Sequence, residues 1–262
     1  MIFAGIDAGS RSIKIVLLDG GGREVVACGT ADQGVRQDAI TARLLHDLLC
    51  SAGLKRDDVA CTVATGYGRD NVSTADAAVT EITCHARGVH HVLPEARSVI
   101  EIGGQDSKFL ALNGDGSVRD FAMNDRCAAG TGRFLEMVAQ RLELGIEQLG
   151  DEALRSRSPA AISSMCVVFA ETEILGLLAE GVGPSDIVAG VQRAIALRIC
   201  AMSGRNLPAP VVLTGGVAMI AGMDSALQSV LGQEISVAPR PQMTGALGAA
   251  ILAARRAAGN DA

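Results

Sequence analysis

Two stretches of the chain share one pattern of apolar and polar positions. The first runs Ile6-Asp7-Ala8-Gly9-Ser10-Arg11-Ser12-Ile13-Lys14. The second runs Ile100-Glu101-Ile102-Gly103-Gly104-Gln105-Asp106-Ser107-Lys108. In each, an apolar strand runs into a glycine turn and a second strand follows, the signature of a β-hairpin. At an offset of 94 residues Asp7 meets Glu101, Gly9 meets Gly103, Lys14 meets Lys108, Leu18 meets Leu112, Gly20 meets Gly114 and Gly22 meets Gly116. The chain has only three lysines, and two of them fall on this match. A Gly-rich tip, Asp19-Gly20-Gly21-Gly22 in the first copy, reverses the chain. Two glycine hairpins could resemble each other by coincidence, but acid, glycine and lysine agree together here, which favours duplication.

Further elements follow each hairpin. In the first half, 39–52 reads as a helix and Val59–Ala64 as a strand ending at Thr65-Gly66-Tyr67-Gly68. In the second half, helices are expected over 133–144, 163–180 and 185–204, then a strand at 211–213. A final helix covers 244–257, where Gly245, Ala246, Gly248, Ala249 and Ala250 permit close packing. Alternating strands and helices predict an α/β architecture with mixed sheets. The expected division is 1–94, completed by the C-terminal helix at about 244–257, and 95–243.

Composition narrows this picture. A hydrophobic content of 48% with 20% charge belongs to a folded chain, and 2% aromatics with no Trp means an aliphatic core. The net charge of −6 and the lack of a basic stripe argue against a nucleic-acid surface. No apolar run reaches membrane-spanning length. The N-terminus opens directly into Ile2-Phe3-Ala4-Gly5-Ile6 without a basic region or cleavage site, so a cytoplasmic location is expected. Seven cysteines at wide spacing in such a protein are not a disulfide framework, and most are expected as small core residues.

The hairpin turns are candidate phosphate loops. Glycine lets the backbone approach phosphate oxygens, and the exposed N–H groups of the turn form an anion nest. Gly9, Ser10, Arg11, Ser12 and Lys14 are the candidates in the first turn, and Gly103, Gly104 and Gln105 in the second. Asp7 and Asp106 would repel phosphate directly. They make sense if Mg²⁺ with its waters lies between, or if one of them orients the attacking water. A third glycine turn, Thr214-Gly215-Gly216-Val217-Ala218, ends a strand and suits a ribose or base, with Gly215, Gly216 and Ala218 closest and Gln242 approaching the base. Single glycine turns usually just reverse a chain, whereas three in order at strand ends are stronger. No Gly-x-x-x-x-Gly-Lys-[Ser/Thr] occurs, which excludes a P-loop site. The ordered set resembles the superfamily of actin, sugar kinases and heat-shock chaperone ATPase domains. That resemblance implies two actin/ribonuclease H-like halves with ATP or ADP in the cleft between them.

Two cysteines stand apart. Cys127 lies in Asn124-Asp125-Arg126-Cys127-Ala128-Ala129-Gly130-Thr131-Gly132 and Cys166 in Ser163-Ser164-Met165-Cys166-Val167, each just before a predicted helix, the second with two serines available as caps. A helix N-terminus favours thiolate, the metal-binding form. A four-iron cluster needs four thiolates, which two copies related by a twofold axis would supply. From the residues alone, buried cysteines near helix starts, or a zinc site shared between subunits, stand beside this reading.

The stretches IGGQDSKFL, MNDRCAAGTGRFLE, SSMCVVFAETE and TGGVA resemble the ATP-dependent activators of 2-hydroxyacyl-CoA dehydratases and the related ATPase subunits of benzoyl-CoA reductases, from Gly5 to about Ala253. The resemblance implies a homodimer with one shared [4Fe-4S] cluster held by Cys127 and Cys166 of each chain. It further implies Mg²⁺-ATP hydrolysis, a ferredoxin or flavodoxin as electron donor, and an acyl-CoA dehydratase or reductase as electron acceptor. Arg11-Ser12-Ile13 departs from the smaller polar residues of many relatives. A benzoyl-CoA reductase subunit would pair related chains instead of identical ones. A small-molecule kinase of the same fold would use Asp106 as base, but this chain is short for one. A module that senses ATP without redox chemistry is a further option. His85 is expected to pack or cap, His90 and His91 to be solvated in a connecting stretch, and Glu171 and Glu173 to favour the first turns of their helix.

Overall fold

The computed structural model describes residues 1–21, 24–163 and 166–259. Gly22 of the repeat and Ser164, expected as a helix cap, lie outside the described residues. The chain divides into two units, one of Met1–Glu95, Leu112–Val118 and the residues from Gln242 onward, the other of Ala96–Ala111 and Arg119–Pro241.

In the first unit, β1 (Ile2–Ala8) and β2 (Ser12–Leu18) are the expected hairpin, and almost every residue of both is buried. With β3 (Val25–Asp32), β4 (Val59–Thr65) and β5 (Ala77–Ala78) they form a sheet of order β3-β2-β1-β4-β5. Helix α1 (Gln37–Ser51) buries Thr41, Leu45 and Leu49, a four-residue spacing that sets one stripe against the sheet. Helix α2 (Glu81–Val92) buries Cys84, His85, Gly88 and Val89, and α8 (Thr244–Ala257) buries eight residues, most of them small.

The second unit repeats the scheme. Strands β6 (Ser98–Ile102), β7 (Ser107–Leu112), β8 (Val118–Asn124), β9 (Val211–Thr214) and β10 (Ile235–Val237) form a sheet of order β10-β9-β6-β7-β8. Reversed, that order is the first sheet's own, with each half beginning on an antiparallel hairpin and adding a parallel strand beside its first. The registers agree as well. Asp7 faces Lys14 on β2 and Thr65 on β4, while Glu101 faces Lys108 on β7 and Thr214 on β9. A one-residue slip would turn every side chain to the opposite face, so this agreement answers the coincidence objection. The remaining helices are α3 (Gly132–Arg141), α4 (Gln148–Leu154), α5 (Val167–Ala179), α6 (Pro184–Ser203) and α7 (Met223–Leu231).

Three differences from the sequence reading have physical causes. Helix α5 begins after Cys166, which is itself the N-cap, because Ser163 spends its hydroxyl and its N–H on the Glu173 carboxylate (2.7 and 2.9 Å). Ser163 therefore does not cap. His90 and His91 belong to the last turn of α2 and not to a connecting stretch; His91 is exposed as expected, whereas His90 is half-buried with its ring against Gly116. Histidine at a helix C-terminus suits the dipole, which the sequence pattern concealed. Cys50 is exposed near the end of α1 beside His46, not in the core. Among the described residues no helix is long and apolar enough to cross a membrane.

Small residues do let α8 pack closely, as expected. A side chain on Gly5 would overlap the α8 backbone at Ala246 and Ala250, and one on Gly248 would overlap the Cys84 carbonyl of α2. Backbones in contact leave no room for a Cβ. Gly248→Ala is therefore expected to lower unfolding stability by about 3 kcal/mol, at the upper end for an overpacked core. Urea denaturation measures this, and a loss no greater than that of an exposed-site substitution would contradict the packing.

Candidate functional site

In the first unit the hairpin turn follows directly from the acid at the end of β1. Asp7 is buried, and its Oδ2 accepts from Lys14 Nζ at 3.3 Å. Its other oxygen, Oδ1, faces two glycines, since a Cβ on Gly66 or Gly9 would stand 2.6 or 3.5 Å from it. Gly66 has φ +94°, a conformation that side chains rarely adopt, and it sits one residue past the β4 position that faces Asp7. Two glutamines hold the loops together. Gln33 donates to the Gly9 carbonyl at 3.0 Å and to Gln37, and Gln37 donates to the Gly68 carbonyl at 2.7 Å. Ser10 and Ser12 are half-buried in the turn, while Arg11 is exposed and pairs with Asp32 at 3.3 Å.

The second unit carries the same arrangement with one more acid. Lys108, only 2% exposed, donates to Glu101 at 3.0 Å and to Asp106 at 2.6 Å. Asp106 occupies the place of Ser12, so this turn holds two carboxylates against one ammonium. The Gly103 N–H donates to the Asp106 carbonyl at 3.0 Å and closes the turn, leaving Gly104 half-buried and Gln105 exposed. From the far side, the first N–H groups of α3 hold it. Gly132 donates to the Gly103 carbonyl (2.8 Å) and Arg133 to the Gly104 carbonyl (2.9 Å). After β9, Gly215 (φ +91°) mirrors Gly66, and a Cβ there would lie 2.7 Å from Glu101 Oε1. Its N–H and the Thr214 hydroxyl both donate to Pro241 (3.0 and 2.7 Å). Gly216 is exposed, Ala218 is half-buried, and the amide oxygen of Gln242 is buried with no hydrogen-bond donor among the described residues.

Sequence reasoning placed the acids, lysines and three glycine turns. It read Thr65-Gly66 only as a strand end and not as a fourth turn of the set, although the same Thr-Gly pair ending an apolar strand at Thr214-Gly215 was the available signal. It also missed Gln33 and Gln37, whose role depends on contacts distant in sequence.

The two singled-out thiols lie in the second unit. Cys127 is the N-cap of a short 3₁₀ turn, Ala128–Gly130, and Thr131 caps α3 itself through a bond from Arg133 N–H at 3.3 Å. Asn124 grips the Cys127 backbone at both ends, accepting from its N–H (3.0 Å) and donating to its carbonyl (2.8 Å). Cys127 is half-buried and Cys166 exposed, and neither is in a disulfide. Val168 and Phe169, in the first turn of α5 that Cys166 caps, are two-thirds exposed despite being apolar. By contrast, burial pushes the Cys84 thiol up to about 12, and burial with the nearby Asp76 carboxylate raises Cys61. Such thiols are chemically inert. Among the described residues no three His, Cys, Asp or Glu side chains converge on a metal position.

Two sheets of one topology, each bearing an acid–lysine pair and glycine turns at its strand ends, define an ATPase of the actin-like fold. Residues 4–253 match the BadF/BadG/BcrA/BcrD ATPase family, and the chain belongs to that family. It is 45% identical over 258 residues to the activator of lactoyl-CoA dehydratase of Anaerotignum propionicum, covering 97% of each chain. The solved structure of the activator of the 2-hydroxyisocaproyl-CoA dehydratase from Clostridium difficile with bound ADPNP matches with a TM-score of 0.94 at 42% identity, over 99% of this chain and 96% of that one. Component A of the (R)-2-hydroxyglutaryl-CoA dehydratase of Acidaminococcus fermentans matches with the same TM-score at 41% identity, over 98% and 99%.

The two acid–lysine pairs should differ in weight. Lys108→Met strands two acids around a buried site and is expected to destabilise by about 3–5 kcal/mol. Lys14→Met should cost clearly less, because that pair is longer and Lys14 keeps some contact with solvent. Equal losses in urea denaturation would contradict this ranking.

Proposed function

We propose that this chain is an ATP-hydrolysing activator of a 2-hydroxyacyl-CoA dehydratase, working as a homodimer that passes a low-potential electron to its partner enzyme. The observation that carries the reading is the duplicated pair of acid-and-glycine turns in a chain that is 41–45% identical, over 97% of its length, to proteins named activators of 2-hydroxyacyl-CoA dehydratases. Glycine N–H groups at Gly9–Ser12 and Gly103–Gln105 take phosphate oxygens, with Ser10, Ser12 and Lys14 adding donors. Gly215, Gly216, Ala218 and Gln242 take the adenosine end. The residues fit a Mg²⁺ ion. Asp7 and Asp106 each bring carboxylate oxygens, the donor type that Mg²⁺ takes, to the turn of their own unit. One of the two orients the water that attacks the terminal phosphate, yielding ADP and inorganic phosphate.

Cys127 and Cys166 of each copy fit half of the thiolate set of a [4Fe-4S] cluster, and a twofold-related copy supplies the other half. When bound, the cluster would store one electron, received from a ferredoxin or flavodoxin. Asn124 fixes the Cys127 backbone for this role. The exposed Val168 and Phe169 beside Cys166 suit an apolar contact with the second copy. Accessible cysteines outside disulfides suit the reducing cytoplasm.

The nucleotide part is tested by calorimetry on the full chain. Mg²⁺-ATP and Mg²⁺-ADP should bind, and Asp7→Ala or Asp106→Ala should lower ATP hydrolysis by roughly 100-fold or more, in the range for lost electrostatic stabilisation of a transition state. Absence of any nucleotide binding would refute this reading. The redox part is tested by iron analysis of anaerobically purified protein. About four irons per dimer are expected on the four-thiolate ligand count. Cys127→Ser or Cys166→Ser should abolish them, whereas Cys28→Ser or Cys200→Ser should not. A monomer carrying a full cluster would rule out the shared arrangement.

A further inference from the structure

We propose that His85 is a positioning residue for Asp7, aligning that carboxylate for Mg²⁺-nucleotide through a hydrogen bond to Thr244. This rests on the reading of Asp7 given above and extends it to a buried histidine that the sequence pattern assigned to packing or capping. His85 lies on the buried face of α2, 5% exposed, and its Nδ1 is 2.9 Å from the Thr244 hydroxyl at the first position of α8. That contact spans 159 residues. It exists because α2 and α8 meet backbone to backbone, a side chain on Gly88 overlapping the Thr244 carbonyl and one on Gly248 the Cys84 carbonyl.

Pinned at Nδ1, the ring turns its opposite edge toward Gly245. A Cβ on Gly245 would lie 3.1 Å from His85 Nε2, 3.2 Å from Cε1 and 3.2 Å from Asp7 Oδ2. Imidazole edge and carboxylate oxygen thus converge on the one residue that has no side chain to keep them apart. Asp7 Oδ2 is bounded by Lys14 on one side and by Gly245 with the imidazole edge on the other, while Oδ1 faces the turn glycines Gly9 and Gly66. A carboxylate bounded in this way has little rotational freedom about its last side-chain bond. Removing the imidazole wall lets Oδ2 move away from the turn, so the loss appears in the metal-dependent step and not in the affinity for the bare nucleotide. Partners of this kind behind a metal-binding carboxylate are where metal affinity is tuned.

The experiment compares His85→Phe, His85→Gln, Thr244→Val and the control Leu247→Ala, a core residue of α8 outside the Asp7 surroundings. In the full-length protein, Mg²⁺ titrations of ADP binding by calorimetry are read beside ATP hydrolysis and thermal unfolding. His85→Phe and Thr244→Val should raise the Mg²⁺ concentration for half-maximal effect roughly 10- to 100-fold, with Mg²⁺-free ADP binding unchanged. His85→Gln, which keeps a polar partner for Thr244, should recover part of this. Leu247→Ala should lower the melting temperature and leave the Mg²⁺ requirement at the wild-type value. In an Asp7→Asn background the His85 substitutions should add no further change. A folded His85→Phe with a wild-type Mg²⁺ requirement overturns the proposal. If that variant does not fold, Thr244→Val decides alone by the same criterion. A wild-type protein that binds no Mg²⁺-nucleotide would instead overturn the reading of Asp7 and this one together.

Discussion

Both units rest on one electrostatic constraint, a carboxylate and an ammonium facing each other across the first two strands of a sheet. An acid at the end of a fully buried strand is tolerable only with a partner at the same level. In each unit that partner is the lysine directly across the hairpin, Lys14 for Asp7 and Lys108 for Glu101. The pair fixes register, because moving either strand by one residue would drive a charge into the aliphatic core. Fixed register sets where the chain leaves the strand, and the glycine turn begins at that point. The same level on the neighbouring parallel strand carries threonine followed by a left-handed glycine, so two turns converge on one acid in each unit.

The copies have diverged around this shared frame. The first turn is tethered by long side chains, Gln33 and Gln37, and its acid has a histidine close behind it. The second turn is tied by its own carbonyls to the first N–H groups of α3, and Asp106 brings a second acid to its lysine. Gly132, which holds the Gly103 carbonyl, is five residues past Cys127 in the chain. Under the proposed function, a rearrangement of the second turn after phosphate release has a short covalent and hydrogen-bonded route to that thiol. Such a route would bias a two-state element instead of acting as a wire, since the turn moves only as far as its bonds to α3 allow.

What the sequence revealed was whatever depends on neighbours along the chain. The hairpins, their offset, the acid and lysine levels and the small-residue helix α8 are local patterns, and the structure carries all of them. The capping of α5 was misread because Ser163 is claimed by Glu173, ten residues on, in a competition that no local rule anticipates. His85 was expected to pack or cap, and it is buried against the first residue of α8, while its neighbourhood with Thr244 and three glycines of two helices is not legible along the chain. The Thr65-Gly66 turn was visible as a motif, and its place beside Asp7 emerges only from the pairing of β1 with β4.

Burial separates the seven thiols more sharply than sequence context does. Cys61, Cys84 and Cys200 are buried, and for Cys61 and Cys84 the lost hydration of a charged sulfur raises the thiol, outweighing the nearby Arg256 and Arg69. Cys28 is half-buried on a strand, and Cys50 is exposed beside His46 near the end of its helix, where the dipole disfavours an anion. Cys127 and Cys166 alone combine access with an N-cap position, where backbone N–H groups face outward toward a negative partner. The apolar Val168 and Phe169 next to Cys166 add a reason for water to leave that neighbourhood when another surface arrives. Under the proposed function, one chain supplies two of the four thiolates that a [4Fe-4S] cluster takes. A second copy would supply the other two, which is why the proposed cluster ties the redox reading to the oligomeric state.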